Sequence, residues 1–195
     1  MSQAMAKRLL PIGIQSFRKL RERDCYYVDK TAYALRLVEE GTHYFLSRPR
    51  RFGKSLFLDT LKELFAGSRE LFRGLHVYER WDWTVRRPVI RLSFGSGDFV
   101  QPHELNEDVL EQVDAMEREA AVEPRYGTAR GRFRHLIRTL HRQSGRRVAV
   151  LVDEYDKPIV DALGEPEVAR GNRNFLRGLY AVSYTHLTLP TKRIV

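Results

Sequence analysis

The sequence predicts an α/β fold built on a parallel sheet covered on both faces. Short apolar runs alternate with longer segments of helical period, the pattern of strand–helix units. One apolar run, Val148-Ala149-Val150-Leu151-Val152, ends in two carboxylates, Asp153 and Glu154. Such an unbroken run is what a strand buried on both faces requires. Another, His43-Tyr44-Phe45-Leu46, leads through a turn into a helix former that begins after Gly53.

The elements follow in order. Asp29 is placed to cap a helix through Glu40, and Gly41 stops it. Residues 43–46 read as the first strand. A helix over residues 53–65 ends ahead of Gly67 and Ser68, which break its pattern. Leu71-Phe72-Arg73-Gly74-Leu75 and Trp81-Asp82-Trp83 make a loop-rich connection. Pro88-Val89-Ile90-Arg91-Leu92-Ser93-Phe94 reads as the second strand, closed by a Gly95-Ser96-Gly97 turn. Two long helices come next. The first is acidic, from Glu104 onward. The second carries Phe133, Leu136, Ile137 and Leu140 at helical spacing, with Arg132, Arg134, Arg138 and Arg142 on its exposed face. The acidic strand follows, and Leu176 to Val182 keeps an amphipathic period. No repeat or low-complexity tract interrupts the chain.

Chemistry is concentrated in two stretches, Ser47-Arg48-Pro49-Arg50-Arg51-Phe52-Gly53-Lys54-Ser55 and the strand that ends in Asp153-Glu154. A Gly-Lys-Ser between a strand and a helix is the phosphate loop of a P-loop NTPase, because backbone N–H groups at a helix N-terminus cradle anions. The usual first glycine of that loop is replaced by Arg48, so the strict pattern fails and the strand–loop–helix context carries the reading. The expected site assigns phosphate binding to Arg50, Arg51, Phe52, Gly53, Lys54 and Ser55. Ser55 and Asp153 hold magnesium, and Glu154 is the catalytic base that orients water. Arg50 and Arg51 either add charge at the phosphates or pair with the acidic residues after the strand. Two plainer readings stand beside this one: a surface turn with a solvated Lys54, and an Asp-Glu pair that only ends a strand or caps a helix. Asp156 and Lys157 have no assigned role beyond capping the next helix.

The stretches RPRRFGKS (48–55), CYYVDKT (25–31), LPIGIQSF (10–17) and VLVDEYDKPI (150–159) together resemble the AAA-ATPase-like family of prokaryotic proteins. Longer members of that family often carry a PD-(D/E)XK nuclease-like domain after the ATPase part. The resemblance spans roughly residues 10–182 and tolerates Arg at the position of Arg48. It implies an ATP-binding, magnesium-dependent ATP-hydrolysing module. It also implies a three-layer P-loop fold with an additional strand between the phosphate-loop strand and the acidic strand, supplied from later in the sequence.

Past Val182 the composition changes abruptly. Residues 183–195 have no helical period, and SYTHLTLPT looks like translated sequencing adapter. The expected organisation is therefore the N-terminal part of the ATPase-like domain over residues 1–182 and a foreign or disordered tail over 183–195. On this reading the fold is incomplete at its C-terminus, and hydrolysis belongs to the intact parent protein rather than to this fragment.

Composition limits the rest. Hydrophobic residues make up 43% of 195, enough for one α/β core. No apolar run approaches the roughly 20 residues of a membrane span, no secretory signal is present at the N-terminus, and a cytoplasmic setting is expected. The single Cys25 forms neither an internal disulfide nor a metal site, and is expected to be half-buried packing. The net charge of +9 leaves a nucleic-acid partner open, bound through the arginine face, although an acidic helix beside a basic one also pairs without any ligand. The expected ligands are ATP and Mg2+. A homo-oligomer or protein partner is compatible with the sequence, as is a nucleotide-dependent switch without turnover.

Overall fold

The computed structural model describes residues 8–41, 43–47 and 52–184, with side chains through 182. It is mixed α/β: seven α-helices, a short 3-10 helix and a two-stranded parallel sheet among the described residues. The chain divides into two compact units, Met1–Arg86 and Arg87–Val195.

The first unit is helical. It contains α1 (Phe17–Glu22), α2 (Thr31–Glu40), α3 (Lys54–Phe65) and a 3-10 helix (Arg69–Phe72). Its core is aromatic, because loop-rich chain supplies few long helical faces and large rings bury most area per residue. The Phe17 ring centroid lies 4.8 Å from that of Phe72 and 5.1 Å from that of Tyr27. Asp59, buried on α3, accepts the Phe17 N–H at 2.7 Å, so the start of α1 is tied to the middle of α3. Arg18 and Glu63 add an ion pair at 2.7 Å. Cys25 is 2% exposed, more deeply packed than the sequence suggested.

The N-cap of α2 is Lys30 rather than Asp29, which stands one residue further out and still binds the start of the helix. The Asp29 Oδ1 accepts both the N–H and the hydroxyl of Thr31, at 2.8 and 2.7 Å. Gly41 ends the helix in an extended conformation. The expected strand over residues 43–46 does not form: residues 43–47 carry no regular structure, and Phe45 is 67% exposed. Apolar composition alone does not make a strand; a hydrogen-bonded ladder does, and the ladder among the described residues joins two later segments.

Those segments define the second unit. β1 (Val89–Ser93) pairs in parallel with β2 (Ala149–Asp153), with Val89 opposite Ala149 and Ser93 opposite Asp153. Between them run α4 (Glu104–Glu119) and α5 (Ala129–Ser144), and after β2 come α6 (Lys157–Val160) and α7 (Pro166–Tyr184). Side chains alternate across a strand. Ile90 and Leu92 therefore enter a core with Val109, Val113, Phe133, Leu136 and Leu179, while Arg91 and Ser93 share the other face with Leu151 and Asp153. Gln112 on α4 closes the outer edge of β1: its amide accepts the Ser93 N–H at 2.8 Å and donates to the Ser93 carbonyl at 2.9 Å. Gly97 is required by packing, since a Cβ there would stand 2.1 Å from the Phe99 ring.

The acidic and basic helices do pair. Arg132, expected on an exposed face, has a side chain only 15% exposed and binds Asp114 at 2.7 Å and Glu117, itself 2% exposed. The hydrogen bonds that Arg132 donates, to Glu117 first and then to Asp114, push its pKa further up. Arg134, Arg138 and Arg142 remain exposed.

Candidate functional site

Gly53 adopts the left-handed conformation, φ 72° and ψ 30°, and serves as N-cap of α3. Glycine is the residue that takes this turn without a Cβ penalty, and it turns the chain straight into the helix. The first helical bond runs from the Phe57 N–H to the Gly53 carbonyl at 3.0 Å. The N–H groups of Lys54, Ser55 and Leu56 precede it and have no intrahelical acceptor. Lys54 and Ser55 are both half-exposed in this first turn. A helix twelve residues long with N–H groups that lack intrahelical acceptors, a lysine and a hydroxyl at one end has the donor set an oxyanion takes. Phe52 is 60% exposed beside it. Arg50 and Arg51 lie outside the described residues, as does Arg48.

A cavity of about 320 Å3 adjoins this helix end. Pro11, Tyr26, Val28, Phe52, Leu56 and Lys30 are among its lining residues. The Lys30 ammonium stands 3.6 Å from where a Cβ on residue 53 would be, so a second lysine reaches the Gly53 turn. Sequence spacing gave no sign of it, because Lys30 lies well ahead of the loop. The signal available was its place in the CYYVDKT stretch.

The carboxylates belong to the second unit. Asp153 ends β2, 5% exposed. Its Oδ2 accepts from the Arg91 guanidinium at 3.3 Å, and its Oδ1 from the Glu154 N–H at 3.2 Å. Arg91 sits two positions before Ser93, the residue opposite Asp153, and parallel register puts both on one face of the sheet. Sequence reasoning missed this pair; the register reveals it. Glu154 is exposed and has φ 50°, uncommon for a residue with a Cβ. Its carboxylate lies close over Gly95, within 3.4 Å of where a Cβ there would stand. A strained backbone under an exposed carboxylate is the kind of feature found at functional positions. Asp156 is the N-cap of α6 through its backbone, and Lys157 is engaged structurally. Its ammonium donates to the Gly97 carbonyl at 2.6 Å, pairs with Asp161 and lies over the Phe99 ring.

The lysine half of the expected site thus lies on the first unit and the carboxylate half on the second. The residues fit the expected groups in different degrees. The α3 end fits a phosphate directly. Magnesium is commonly held by one or two carboxylates, with waters and phosphate oxygens completing its shell; Asp153 offers one carboxylate, already in contact with Arg91. No cluster of three or more metal-ligating side chains occurs among the described residues.

Comparisons with known proteins place the chain in a family. A family model for AAA-ATPase-like proteins, described as "Predicted AAA-ATPase", matches residues 11–192. A protein of Azotobacter chroococcum mcd 1, named "Uncharacterized protein in vnfD 5'region", is 56% identical over 179 residues, which are 91% of this chain and 35% of the relative. The chain therefore spans about a third of the length of the curated relative it matches. No solved structure matches.

Proposed function

The chain belongs to the AAA-ATPase-like family, and from that premise we propose that it is an ATP-binding P-loop module of the three-layer type that hydrolyses ATP with magnesium in the full-length protein. The observation that carries this reading is the start of α3, where a left-handed glycine, a lysine, a serine and N–H groups without an intrahelical acceptor meet at one point. In this account the N–H groups up to Ser55 surround the phosphates and Lys54 binds the β- and γ-phosphate oxygens. Arg50, Arg51 and Phe52 complete the loop. Magnesium, when bound, would neutralise charge on the phosphate oxygens, and Ser55 and Asp153 are the residues to hold it, directly or through water. Glu154 orients and deprotonates the attacking water. The edge of β2 that does not face β1 is where a further strand of such a sheet would add.

Arg91 supports a second reading. Its guanidinium already pairs with Asp153 at 3.3 Å, and a contact that must yield to a cation suits a nucleotide-dependent switch without turnover.

Turnover separates the two. In the full-length protein, Glu154→Gln is expected to keep ATP binding and lower hydrolysis by roughly 100-fold or more. Asp153→Asn should weaken the magnesium-dependent part of binding. Steady-state turnover unchanged in the Glu154 variant would remove Glu154 from the role of base.

A further inference from the structure

The CYYVDKT stretch is built into the Gly53 end of the first unit, and its fixation is specific. Asp29 accepts two hydrogen bonds from Thr31 through Oδ1, and one from the His76 N–H through Oδ2 at 2.7 Å. Thr31 in turn accepts the Val77 N–H at 3.2 Å. The Tyr27 hydroxyl is 3.4 Å from Thr60 Oγ1 on α3, and Thr60 donates to the Leu56 carbonyl. Lys30 lies between these anchors, so its backbone is held on both sides while its side chain takes no part in capping α2. That side chain ends beside Gly53 and lines the cavity. Around the same cavity Tyr26, Val28 and Phe52 are 52%, 77% and 60% exposed. Apolar surface standing open beside a cation and N–H groups without intrahelical acceptors suits a ligand with a flat apolar part and an anionic part.

We propose that Lys30 is a second phosphate-binding cation of the α3 site and that the cavity beside it takes the base of the same nucleotide. This rests on the reading of Gly53, Lys54 and Ser55 as a phosphate site and deepens it. Two lysines reach one anion from different elements, Lys54 from the first turn of α3 and Lys30 from the start of α2. The base lies against Val28 and Phe52.

The test is calorimetric titration of the full-length protein with ATP and with inorganic triphosphate, both with magnesium. Lys30→Gln should weaken both ligands by about tenfold or more, the loss of one charge-assisted hydrogen bond, and Lys30→Arg should recover most of it. Val28→Trp, at an exposed position, should fill the cavity and weaken ATP while leaving triphosphate unchanged. Thermal melts of the three variants that match wild type keep folding out of the comparison. Wild-type affinity for both ligands in Lys30→Gln would overturn the role of Lys30. Equal loss of ATP and triphosphate in Val28→Trp would overturn the place of the base. Failure of the parent reading looks different: neither ligand binds wild type, or Lys54→Ala binds both unchanged.

Discussion

Asp29 shows how one side chain positions another. Burial works against its charge, yet the hydrogen bonds from the His76 N–H and from Thr31 outweigh that and hold its carboxyl below the ordinary aspartate value. A carboxylate with a lowered folded pKa contributes stability that is fully present above the unfolded value, near 3.8, and is lost as pH falls through the folded value. The stability difference between wild type and Asp29→Asn should therefore be largest at neutral pH and shrink as the pH falls below about 4. Denaturant melts at pH 7 and pH 3 read this directly, and a difference that stays constant would mean that the hydrogen bonds do not depend on the charge. Residue chemistry was the most legible level of this sequence. Gly53, Lys54, Ser55, Asp153 and Glu154 announce themselves by type and neighbours. Lys30 and Arg91 do not, since Lys30 comes near Gly53 and Arg91 near Asp153 across gaps in sequence that only the fold closes.

At the scale of elements, apolar period located α3, α4, α5, β1 and β2 well, and tertiary pairing decided what it could not. The segment over residues 43–47 has strand composition without strand structure, because a ladder is a property of two segments and a sequence pattern describes one. Gln112 bonding the edge of β1 is invisible for the same reason. The α4–α5 contact carries a prediction. Arg132 is mostly buried and Glu117 almost wholly so. Arg132→Ala would leave that carboxylate uncompensated and should cost about 3 kcal/mol or more. Replacing both, Arg132→Met with Glu117→Leu, should recover most of the loss, since buried pairs gain little net stability over apolar packing. Urea melts of the two variants test this; a double variant as unstable as the single one would show that the arginine holds the helices by more than neutralising Glu117.

For the whole molecule, the α/β class and the family were legible from the sequence, while the division at residues 86 and 87 was not, since apolar period follows single elements and carries no sign of which of them share a core. No helix among the described residues is long and apolar enough to cross a membrane. The positive charge is partly accounted for internally: Arg132 is spent on the α4 carboxylates, while Arg134, Arg138 and Arg142 stay exposed on α5. Nucleotide binding at the start of α3 is tested most directly by magnesium-ATP titrated calorimetrically into the full-length protein and its Lys54→Ala variant. Saturable binding by wild type, with none detectable in Lys54→Ala at the concentrations that saturate wild type, is the predicted result; equal affinity in the two proteins would contradict it.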